Sequence, residues 1–147
     1  MTRLTVAAAQ YPIEALADWQ SYVAKLSLWV ERAAAGGAKL AVFPEYGAME
    51  LASLDPATMG DLAGSLEAVA ALVPQVDALH AELAARLGLH ILAASIPARR
   101  ADGRFVNRAR LFTPAGKLGI QDKLAMTRFE REEWQVSASA PLRVFRT

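Results

Sequence analysis

The 147-residue chain has no cysteine, which removes disulfides, thiolate zinc sites and a cysteine nucleophile from it. It also lacks a charge bias: 16 Lys and Arg stand against 15 Asp and Glu, a formal net charge of +1. Such a balance gives no field that would gather nucleic acid or an acidic membrane surface, and the clusters Arg99-Arg100 and Arg128 to Arg131 are short, the second of mixed sign. No apolar run approaches the roughly 20 residues that span a bilayer. Met1-Thr2-Arg3-Leu4 leads straight into a strand-like segment without the apolar stretch of a signal peptide. The expectation is a cytoplasmic protein with neither nucleic-acid nor membrane partners. Neither G-x-G-x-x-G nor G-x-x-x-x-G-K-[ST] occurs to cradle a phosphate, and no G-x-S-x-G elbow presents a serine.

What is present is a hydrophobic share of 54%, enough for one globular domain over residues 1–147 to bury a core without a staple. Arg3 to Gln10 reads as a short buried strand closed by Tyr11-Pro12. Asp18 caps a predicted helix carrying Tyr22, Leu26, Trp29, Val30 and Ala33 at helical spacing, and Gly36-Gly37 stops it. Lys39 to Phe43 is a second strand ended by Pro44. Strand, helix and strand in this order build a parallel pair with a right-handed crossover. Asp61 to Leu87 is helical with a break or kink at Pro74. Gly88 closes it, and His90 to Ile96 is a third strand ended by Pro97.

The period then changes to two. In Phe105 to Phe112, Phe105, Asn107, Ala109 and Leu111 share one face and Val106, Arg108, Arg110 and Phe112 the other. Thr113 to Lys117 is a turn, so Leu118 to Lys123 returns as the second arm of an antiparallel hairpin. The sheet is therefore mixed, which argues against an all-parallel flavodoxin-like binding domain. Met126 to Trp134 is a helical turn or a loop, and Leu142 to Phe145 begins another strand.

Glu45, immediately beyond a buried strand, stands where ligand sites of α/β sheets gather, although on the residues alone it is more often a solvated loop carboxylate. Lys123, at the end of the hairpin, reads alone as a surface charge beside Asp122. Glu130, Glu132 and Glu133 alternate with Arg128 and Arg131 in what is usually a solvated face. His80 and His90 have no second ligand at metal spacing and read as core-edge or surface residues.

Taken in order, RLTVAAAQYP, a helix ending in GG, KLAVFPEY, a long helix, HILAASIP, the hairpin RFVNRARLFTPAGKLGIQDK and an acidic stretch ending in Trp resemble the N-terminal half of the nitrilase, or carbon-nitrogen hydrolase, superfamily. The resemblance runs over essentially the whole chain and moves Glu45 and Lys123 out of their plain readings. It implies the N-terminal half of an α-β-β-α sandwich, an α/β fold with parallel strands and one antiparallel hairpin. By the same resemblance, non-peptide amide or related C–N bonds are hydrolysed by a Glu-Lys-Cys set without metal or cofactor. Glu45 matches the general base and Lys123 the cation that stabilises the tetrahedral oxyanion. Glu130 matches an additional orienting glutamate, with Glu132 as the alternative. Ala125 stands where many members have His.

The cysteine of the set has no counterpart here. In the family it follows the strand that Leu142 to Phe145 begins, and Ser137 and Ser139 lie before that strand. The resemblance thus implies an incomplete domain, inactive alone. A small amide is the expected substrate of the complete parent protein. The expected partner is a separate C-terminal half or a second copy, because half a sandwich leaves apolar faces open to homo-oligomer formation or other self-association.

Overall fold

The computed structural model describes residues 3–58, 60–138 and 141–146. Its elements, in chain order, are β1 (Val6–Ala8), α1 (Trp19–Ala35), β2 (Leu40–Val42), a 3₁₀ segment over Gly47–Leu54 and a shorter one over Pro56–Thr58. These are followed by α2 (Leu62–Ala71), α3 (Val73–Leu87), β3 (His90–Arg99), β4 (Phe105–Phe112), β5 (Leu118–Asp122) and α4 (Arg128–Glu132). The five strands form one mixed sheet in the order β1-β2-β3-β4-β5. β1, β2 and β3 run parallel, and β3, β4 and β5 antiparallel. The α/β class and the mixed sheet expected from the sequence are both present.

Local chemistry explains the boundaries. Asp18 caps α1 by accepting from Ser21 N at 2.7 Å, and Gly36 closes it. The long helical stretch is two helices bent by 49° at Leu72, because Pro74 is tolerated only in the first turn of the new helix. Gly88 ends α3 in the left-handed region, at φ 62°, where a Cβ would be strained.

One face of the sheet carries the helices. Tyr22, Leu26 and Val30 of α1 and Val76, Leu83 and Ala84 of α3 are buried in one cluster with Ala41, Ile91 and Phe112 of the sheet. Each fully buried aliphatic side chain stabilises by about 1.5–3 kcal/mol relative to exposure, so this layer carries most of the fold's hydrophobic stabilisation. His80 lies inside it, 1% exposed, with Nδ1 against Val76 O at 2.8 Å and its ring stacked on Phe112, so it is a core residue rather than one of the core edge or surface. Burial pushes its imidazole down to about 4. The opposite face carries Val6, Leu40 and His90 in one register row and Ala8, Val42, Leu92, Leu111 and Gly119 in the next. α1 and α3 lie on the other side, and α4 meets this face at the Asn107 end through Glu130.

Two strand expectations are corrected. β3 does not end at Pro97 but continues to Arg99, with a register shift between Ala93 and Ile96. β2 pairs only with His90 to Leu92, so at Pro97 the strand has β4 on one side alone, where a missing N–H is tolerated. Leu142 to Phe145 is not a sheet strand. It lies beside β5, with Arg143 N donating to the Gln121 side chain at 2.9 Å and the Phe145 ring over Gly119, where a Cβ would stand 2.9 Å from it.

Candidate active site

Three chain segments meet at one end of the sheet. The first leaves β2. Phe43 N still bonds Leu92 O at 3.0 Å, Pro44 then ends the ladder, and Glu45 projects from the first residue free of it. The chain turns at once through Tyr46, held in the left-handed region at φ 53°. That conformation is uncommon for a residue with a Cβ and is fixed here by Tyr46 N donating to Ser95 Oγ at 2.8 Å and by the ring packing edge-on to Trp134. The second segment is the hairpin. Arg108 grips its register partner Asp122 through Nε at 2.6 Å and Nη2 at 2.9 Å, and Lys123 N bonds Asn107 O at 2.9 Å. Asp122 is thus engaged by Arg108, while the next side chain along, Lys123, reaches the carboxylates. The third is α4, started by a capping box in which Thr127 Oγ1 accepts from Glu130 N and the Glu130 carboxylate accepts from Thr127 N.

Lys123 Nζ binds Glu45 Oε1 at 2.7 Å and Glu130 Oε2 at 2.8 Å. Glu130 is 2% exposed, and its Oε1 also accepts from the Tyr46 hydroxyl at 2.8 Å. Burial alone would raise the Glu130 carboxyl. The hydrogen bonds from Lys123, Thr127 and Tyr46 outweigh it and hold the group down to about 2. For Lys123, desolvation acts downward, but its bonds to Glu130 and Glu45 prevail and the ammonium is held above its ordinary value. Burial, reinforced by the Glu130 bond, raises the Tyr46 phenol. The cluster therefore presents an ionised buried carboxylate and a firmly protonated lysine at neutral pH. Beside it lies a cleft of about 250 Å³ lined by Phe43, Glu45, Leu92, Ser95, Asn107 and Lys123, on the face away from α1 and α3.

The sequence candidates separate cleanly. Glu45, Lys123 and Glu130 come together; Glu132 pairs with Arg128 on the outside of α4 and stands apart. Two further residues belong to the cluster. Asn107 Nδ2 donates to Glu45 Oε1 at 2.9 Å, and Tyr46 bonds Glu130. Asn107 was legible as the one polar residue on its face of β4. The choice between Glu130 and Glu132 was legible too, because Thr127-x-x-Glu130 is a capping-box signature that turns Glu130 inward.

Comparison with known proteins agrees with this architecture. A 138-residue match, 27% identical, joins the chain to the probable hydrolase YhcX of Bacillus subtilis, covering 94% of this chain and 26% of YhcX. Among solved structures, the carbon-nitrogen hydrolase of Helicobacter pylori G27 superposes with a TM-score of 0.67 at 18% identity, over 93% of this chain and 45% of that one. A point mutant of the amidase from Nesterenkonia sp. AN1 gives 0.68 at 16% identity, over 95% and 51%. The chain therefore spans about half the length of these solved relatives and about a quarter of YhcX. The sequence model of the carbon-nitrogen hydrolases matches residues 5–146, and the chain belongs to that family.

Proposed function

We propose that this chain is the N-terminal half of an amidase-type hydrolase domain, and that Glu45, Lys123 and Glu130 are its share of a Glu-Lys-Cys set. The observation that carries the reading is the single ammonium, Lys123 Nζ, held within 2.8 Å of both carboxylates beside an open cleft. The amidase neighbour from Nesterenkonia is described with an active-site cysteine, and this chain has none. In the complete site Glu45 takes the thiol proton as sulfur attacks the amide carbon, and Lys123 faces the oxyanion that forms. The C–N bond then breaks, with the amine leaving on that proton. Water, deprotonated by Glu45, then attacks the thioester carbon; the C–S bond breaks, the carboxylic acid leaves and the proton on Glu45 returns to sulfur, with Glu130 orienting Lys123 throughout. The small-amide substrate and the cytoplasmic location are part of this proposal.

The chain alone has the base and the cation with no nucleophile, so we expect no ammonia release from a panel of small amides. Turnover that Glu45→Ala abolishes would overturn that expectation. In a complete protein carrying this segment, Glu45→Ala and Lys123→Ala should each remove turnover, and survival of either variant's activity sinks the assigned role.

A second reading is a non-catalytic half-sandwich that pairs with a separate C-terminal half or with itself. It is favoured by the face away from α1 and α3, where Leu4 is 65% and Val6 48% exposed beside the half-buried Leu40 and Leu111. Sedimentation at micromolar concentration tests it: self-association is expected, and a compact, stable monomer counts against it.

A further inference from the structure

Glu45, Glu130 and Lys123 assemble two negative charges and one positive, so neutral donors must meet the excess. Glu130 has its own in Thr127 N and the Tyr46 hydroxyl. Glu45 is placed differently. Its side chain is 57% exposed, and besides Lys123 it accepts from Asn107 Nδ2 at 2.9 Å. The same Nδ2 stands 3.5 Å from Glu130 Oε1, and Asn107 O accepts from Lys123 N at 2.9 Å. One residue of β4, itself 3% exposed, thus touches all three members of the set.

Its other end is buried, and among the described residues Asn107 Oδ1 has no hydrogen-bond partner. A half-turn of the amide would set that oxygen against the two carboxylates and replace an unpaired acceptor by a repulsion. The carboxylates therefore dictate the orientation of the amide, and the amide in turn restrains the carboxylate that is free to move. Resting on the reading of Glu45 as the base, the structure assigns Asn107 as the positioning residue that holds the Glu45 carboxylate against Lys123 and keeps it from swinging into solvent.

The test uses the whole chain, labelled with ¹⁵N and ¹³C, and reads the couplings between the Lys123 ammonium nitrogen and carboxyl carbons across their hydrogen bonds. The unmutated chain should couple Lys123 to both Glu45 and Glu130. Asn107→Leu, close in size and without a donor, should keep the Glu130 coupling and lose that to Glu45. Both couplings surviving, or both disappearing together, overturns the assignment. If Asn107→Leu does not fold, the unmutated chain decides. There the Asn107 side-chain nitrogen should couple across its hydrogen bond to the Glu45 carboxyl carbon, and a coupling to Glu130 alone overturns it. No turnover enters these measurements, so failure of the proposed hydrolysis and failure of the positioning role are told apart.

Discussion

The molecule contains two clusters of nearly the same composition. At the sheet end, Lys123 joins a buried Glu130, an exposed Glu45 and the Tyr46 hydroxyl. Near the start of the chain, Lys25 joins a buried Glu50 at 2.7 Å and an exposed Glu14 at 3.1 Å, and the Tyr11 hydroxyl donates to Glu50 at 2.5 Å. Glu45 and Glu50 even stand at the two ends of one stretch. The difference lies in what surrounds them. Lys25 also lies over the Tyr11 ring, 4.5 Å from its centre, and bonds Pro12 O, so its charge is spent tying the loop after β1 to α1 and to the 3₁₀ segment. Lys123 borders a cleft, and the Asn107 amide bridges its carboxylates, its oxygen unpaired among the described residues. A lysine with two glutamates and a tyrosine is therefore a fastening in one place and a candidate site in the other; composition alone does not tell them apart.

Breaking the fastening should have the largest effect. Glu50→Ala leaves a largely buried ammonium and a phenol without their acceptor and is expected to cost about 3–5 kcal/mol, read as a lower urea midpoint. An unchanged midpoint would refute the structural role. Next comes the acid response of Glu130. Its folded value lies below the ordinary one, so its contribution is complete above the unfolded value of about 4.5 and is lost as pH falls toward about 2. Allowing for screening in the open cleft, that contribution is about 2 kcal/mol. Glu130→Gln should flatten the stability curve over this window, and parallel curves would contradict the ion pairing.

Tyr46→Phe, which removes one hydrogen bond to the Glu130 carboxylate, should cost about 1 kcal/mol. Tyr11→Phe should cost more, because its bond is buried; thermal melts of the two variants compare them directly, and the reverse order would break the distinction. The smallest effect on stability is expected at Glu45→Gln, about 0–1 kcal/mol, since the pair it breaks is largely exposed. A loss as large as that of Glu50→Ala would make Glu45 a fastening too.

The parts of this picture that follow from neighbours in the chain were legible beforehand. Asp18, Gly36, Pro74 and Gly88 mark helix ends by local chemistry, and Pro44 and the hairpin place Glu45 and Lys123 at the ends of strands. The parts that depend on distant partners were not. Pro97 continues a strand because β2 is too short to reach it, which the sequence around Pro97 does not state. Tyr46 joins the site through a carboxylate 84 positions away, and only the docking of α4 reveals it. Leu142 to Phe145 reads as the start of a strand, yet Phe145 packs over Gly119 while its segment stays out of the ladder.

The capping box of α4 couples quantities usually treated apart. One carboxylate both starts that helix and neutralises Lys123, so the helix–coil equilibrium of five residues and the ionic state of the site are thermodynamically linked. Whatever frays α4 withdraws a counter-charge from the lysine, and whatever draws Glu130 toward another cation loosens the helix.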